Sequence, residues 1–121
     1  MTDESKPSPF VCPSAFSEWR DQPEFFLKLF HTFVSETHKD LQALQDAVVS
    51  SDAVKVASIA HRIKGGAGAV GALPMRTEAA RVEAMARTEQ LGDVGEGLST
   101  LYEEFDRFCG FVSKLTVGQD G

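Results

Sequence analysis

The stretch from Val94 to Leu115 constrains the fold more than any other part of the chain. Val94, Leu98, Leu101, Phe105, Phe108, Val112 and Leu115 follow one another in alternating steps of four and three without a miss. At about 3.6 residues per turn, that spacing lines one side of an α-helix with apolar side chains. A helix so striped is stable only when the stripe is buried against other elements. Gly118 follows as a stop signal, which leaves residues 118–121 as a short flexible tail.

The same period recurs upstream. Asp21-Gln22-Pro23-Glu24 opens a first long helix: Asp21 and Glu24 have capping-box spacing, and proline is tolerated in a first turn. Its stripe is Phe26, Phe30, Phe33, Leu41, Leu44 and Val48, with one wider gap across Thr37, and it runs to about Val49. Ser50-Ser51-Asp52 reads as a turn and an N-cap. A second helix follows, with Val56, Ile59, Ala60, Ile63, Ala67 and Val70 on one face. Pro74 marks the first turn of a third helix that buries Met75, Ala79, Val82 and Ala86, and Leu91-Gly92-Asp93 ends it. Asp93 and Glu96 repeat the capping-box spacing ahead of the last helix.

No alternating run bounded by hairpin residues reads as a strand. Four amphipathic helices with short links predict an all-α, up-down four-helix bundle, placed at residues 14–117. Three prolines in residues 1–13 predict a flexible lead-in. At the start of the 14–117 span, Ser14 to Arg20 reads as a short extra N-terminal helix, with Ser14 as its N-cap and Phe16 or Trp19 docking it. There is no internal repeat and no sign of a second domain.

Composition narrows the function. A chain of 121 residues, 42% apolar and 25% charged, is ordinary for one soluble domain. No apolar run approaches the roughly 18 residues that span a bilayer, and no export signal is visible, so a cytoplasmic protein with no membrane partner is expected. A net charge of −6 opposes nucleic-acid binding, which needs a basic surface. Cys12 and Cys109 form no C-x-x-C pair and imply neither a metal knuckle nor a disulfide framework.

The chemistry concentrates in Ala60-His61-Arg62-Ile63-Lys64-Gly65-Gly66-Ala67-Gly68-Ala69-Val70-Gly71. On the second helix the buried stripe centres between Ile63 and Ala67, and His61 points roughly 150° away from that centre. Its neighbours one and two turns along are Ala57, Gly65 and Gly68, all small, and Lys64 lies beside it. The expected picture is an exposed imidazole on a low patch with one cation at its side. Glycine inside a helix costs about 1 kcal/mol relative to alanine, so Gly65, Gly66 and Gly68 together give up about 2–3 kcal/mol. Close approach of another backbone is the usual reason for such a cost.

Other readings of these residues are weaker. Gly66-Ala67-Gly68-Ala69-Val70-Gly71 matches the dinucleotide fingerprint, but that pattern has meaning only between a strand and a helix. A metal site using His61, His31 and His38 would need inward-facing ligands, typically Glu-x-x-His pairs, and no glutamate stands three before any histidine.

The run from His61 to Ala72 resembles the signature of histidine-containing phosphotransfer domains: H-x-x-K-G, then small residues, then G-A. The wording is especially close to that of the phospho-accepting domain at the front of chemotaxis histidine kinases. Outside these residues the resemblance rests on helix number, order and length, from about Pro23 to Val117. It implies that His61 carries a phosphoryl group, that Lys64 steadies the phosphoryl oxygens, and that Gly65 lets a partner come close, with Ala57 and Gly68 on the same docking patch. Glu83 occupies the place of the family's Gln or Glu on the following helix, hydrogen-bonded to the active imidazole. The implied partners are response-regulator receiver domains and a sensor histidine kinase. The chain itself is expected to be a monomeric carrier with no ATP-binding kinase domain and no cofactor of its own, Mg²⁺ being held by the receiver. The alternative from another class is a helical adaptor that binds receivers without carrying phosphate. The histidine context of ordinary sensor-kinase dimerisation domains, followed by an acidic residue and a proline, is absent from His61-Arg62-Ile63-Lys64-Gly65.

Overall fold

The periodic stripes become four helices in the computed structural model, which describes residues 22–120. They are α1 (Pro23–Val49), α2 (Ala53–Val70), α3 (Leu73–Arg87) and α4 (Val94–Asp120), with a 3-10 turn at Leu91–Asp93 before α4. The lead-in, the short helix expected at Ser14 to Arg20 and the Asp21 half of the first capping box lie outside the described residues. No strand occurs among the described residues.

The ends of the helices follow local chemistry. Gln22, rather than Asp21, is the N-cap of α1; it makes no side-chain capping bond, and Pro23 sets the first turn. Asp52 caps α2 by accepting the Lys55 backbone N–H at 3.1 Å. Gly71 ends α2 in the left-handed conformation, φ 76°, with its own N–H and that of Ala72 returned to the Gly68 and Ala67 carbonyls. A side chain there would meet the roughly 1–2 kcal/mol penalty of that region.

Two boundaries differ from the sequence reading. α3 stops at Arg87, not at Leu91–Asp93. There the Thr88 hydroxyl donates to the Ala84 and Met85 carbonyls, and Glu89 turns the chain at φ 56°. α4 continues through Gly118 to Asp120, so this glycine does not end the helix.

Consecutive helices pack side by side, and α4 returns against α1, closing an up-down ring. Every stripe residue assigned to α2 and α3 is buried. In α1, Thr37 fills the gap in the stripe and is itself buried, while Phe26 and Val48 sit half-buried at its edges. Phe108 of α4 meets Phe30 and Phe33 of α1 edge to face, with centroids 5.8 and 5.2 Å apart. The Tyr102 hydroxyl of α4 lies 3.3 Å from the Leu41 carbonyl and 3.1 Å from Gln45 Oε1, tying the same two helices at their surface. No helix of the described residues is long and apolar enough to cross a membrane.

Candidate functional site

The facing surfaces of α2 and α3 are rich in alanine: Ala57, Ala60 and Ala67 on one, Ala79 and Ala86 on the other, all buried. Small side chains let two helices approach closely, and this pair makes the most extensive contact in the bundle. The closeness brings Glu83 of α3 beside His61 and Lys64 of α2. The resemblance placed Glu83 on the helix after that of His61; its side chain there is 8% exposed.

His61 stands on the outer side of α2 with its side chain 62% exposed. Its Nδ1 lies 3.1 Å from Glu83 Oε2. Lys64 Nζ lies 2.8 Å from Glu83 Oε1. Arg87, one turn beyond Glu83 on α3, places Nη2 at 2.7 Å and Nε at 3.1 Å from Oε2. A buried carboxylate pays heavily for lost hydration unless donors surround it. Here the hydrogen bonds from Lys64 and then Arg87 outweigh burial, with His61 adding less, and hold the Glu83 carboxyl down at about 2. At neutral pH it is therefore an ionised acceptor, and the hydrogen on Nδ1 is the one donated to it. With Nδ1 so engaged, Nε2 is the ring nitrogen left for other chemistry.

The residues expected to form a docking patch separate into two groups. Ala57 is buried and belongs to the wall of a cleft of about 740 Å³ beside His61, formed by parts of residues 53–62 of α2 and 86–89 at the end of α3. It is not part of an exposed flat patch, because α3 covers it. Gly65 and Gly68 are exposed and do not line that cleft; they lie beyond His61 along α2. A Cβ at Gly65 would meet nothing within 4 Å, and one at Gly68 would meet only the Arg76 side chain, Cδ at 3.5 Å and Nε at 3.7 Å. Gly66 is different, since a Cβ there would stand 3.2 Å from the Phe33 ring.

His31 and His38 are exposed on α1, and no group of three or more metal-ligating side chains gathers among the described residues. The sequence reading did not single out Arg87. Its only signal was a spacing of four from Glu83, shared by many surface ion pairs. Nor did it single out the Arg62–Asp40 pair, 2.7 Å across α2 and α1.

Residues 28–110 match the family model of the Hpt domain. The chain belongs to that family, the histidine-containing phosphotransfer domains, and its role is that of a phosphorelay carrier. Its fold is similar to that of histidine-containing phosphotransfer protein B (HptB) from Pseudomonas aeruginosa PAO1. The two superpose with a TM-score of 0.82 at 22% identity, over 89% of this chain and 95% of the other. No curated protein sequence matches the chain.

Proposed function

We propose that His61 is the phosphoryl acceptor and that it exchanges the group with aspartates of response-regulator receiver domains, one of them supplied in turn by a sensor histidine kinase. One observation carries this reading: an exposed imidazole whose Nδ1 is engaged by a buried carboxylate, which leaves Nε2 as the ring nitrogen available to react. In the forward step the Nε2 lone pair attacks phosphorus in line with the aspartyl oxygen. The N–P bond forms, the P–O bond breaks, and its electron pair leaves with the carboxylate of the receiver. The ring gains positive charge, which Glu83 offsets through Nδ1–H. Such a step depends on positioning and charge neutralisation, and Lys64 supplies a cation one turn from the acceptor. The Mg²⁺ that neutralises the phosphoryl oxygens belongs to the receiver. Gly65 and Gly68 keep the surroundings of His61 low enough for that domain to seat. The carrier acts as a monomer in the cytoplasm. Likeness of fold to HptB, named as a phosphotransfer protein, supports the reading.

The test is incubation with phosphorylated receivers, scoring acid-labile, base-stable label on this chain. The wild type takes up label; His61→Gln takes up none and melts as the wild type does; His31→Gln and His38→Gln keep transfer. Label on His61→Gln at the wild-type rate would move the acceptor elsewhere. Receiver binding with no label on the wild type would establish the adaptor reading instead.

A further inference from the structure

In the resting site Lys64 is engaged. Its ammonium lies 2.8 Å from Glu83 Oε1, and turning towards a phosphoryl group on Nε2 of His61 would weaken that contact. Departure would cost a great deal if Lys64 were the sole cation on a carboxylate that is 8% exposed. It is not the sole cation, because Arg87 puts two N–H groups on Oε2, the oxygen that also accepts from His61.

We propose that Arg87 is a positioning residue: it is the standing counter-ion of Glu83 and thereby releases Lys64 to turn towards a phosphoryl group on His61. The proposal rests on His61 being the acceptor. The division of labour suits the two side chains. Arg87 starts one turn from Glu83 on the same helix, and its planar fork meets one oxygen through both Nη2 and Nε. Lys64 sits on the other helix with a flexible stem, a single ion-pair contact and 32% exposure, so its ammonium can turn on that stem. Arg81 offers a control. It is on the same helix, carries the same charge and pairs with Glu78 at 3.4 Å, away from His61.

The experiment is a double-mutant cycle on the initial rate at which phosphoramidate labels His61, a donor small enough to need no docked protein. The proteins are the wild type, Lys64→Gln, Arg87→Gln, the double variant, Arg87→Lys and Arg81→Gln. Lys64→Gln and Arg87→Gln should each slow labelling roughly three- to tenfold, and the double variant should be little slower than either, because both act through one cation. Arg87→Lys should restore most of the rate, and Arg81→Gln should leave it unchanged. Melting curves should show all variants folded, since the Arg87 side chain is 61% exposed. Multiplying single-variant effects, a wild-type rate in Arg87→Gln, or an equal loss in Arg81→Gln would overturn the proposal while leaving His61 as acceptor. Failure of the wild type to label at His61 would overturn both readings.

Discussion

A Cβ added at Gly66 would stand 3.2 Å from two ring carbons of Phe33, whereas one added at its neighbour Gly65 would meet nothing within 4 Å. Both glycines weaken α2 by about the same intrinsic amount, yet only the first is repaid inside the bundle. Gly66 lets α1 and α2 close on each other. Gly65 leaves bare surface one turn from His61, and no contact inside the bundle requires a small residue there. The whole of α2 divides the same way. Val56, Ile59, Ile63 and Val70 are sealed in the core, and His61, Gly65 and Gly68 look outward. Stability should belong to one side and transfer to the other.

The strongest challenge to that division comes from the core side. Ile63 is 1% exposed, and Ile63→Ala should cost about 2–5 kcal/mol in denaturant unfolding. Phosphoramidate labelling per folded molecule should stay near the wild-type rate. A variant that melts normally but labels poorly would mean that the core side takes part in the chemistry directly.

Glu83 is where the two sides meet, being buried like one and in contact with His61 on the other. Its carboxyl is held at about 2, below the ordinary 4.5, first by Lys64 and then by Arg87. A depressed folded-state value stabilises the fold above the unfolded value, and the contribution is lost as pH falls from about 4.5 through about 2. Given the exposure of both cations, the pH-dependent part should be roughly 1–3 kcal/mol. Unfolding curves between neutral and acid pH should therefore be flatter for Glu83→Gln than for the wild type. Parallel curves would show that the carboxylate is not held by those cations in solution.

The smallest expected change is on the open side. Gly65→Gln removes a helix penalty of up to about 1 kcal/mol, so the melting temperature should hold or rise. Receiver-dependent transfer should nevertheless fall, while phosphoramidate still labels His61. Undiminished receiver transfer would place the docking face elsewhere, for instance over the cleft that Ala57 helps to line.

What the sequence revealed, and what it hid, follows from the range of the interactions involved. The stripe from Val94 to Val112 was legible because helical period and burial act on every residue of it. Asp52 was legible as a cap because its partner is three residues away. The end of α3 was not, because neither Gly nor Pro marks it: the Thr88 hydroxyl and the left-handed Glu89 make the turn. His61 and Lys64 could be read from one motif. The position of Glu83 against them follows from alanine-lined packing of α2 on α3, and the resemblance alone suggested it. Arg87 was hidden because a spacing of four does not disclose that the carboxylate it meets is already shared with another helix.

The account turns on one oxygen of Glu83 engaging Nδ1 and so dictating which ring nitrogen reacts. Phosphorus NMR of the labelled protein, correlated to the ring protons of His61, distinguishes the two phosphohistidine isomers. The account predicts the Nε2 isomer alone. Phosphoryl found on Nδ1 would contradict it.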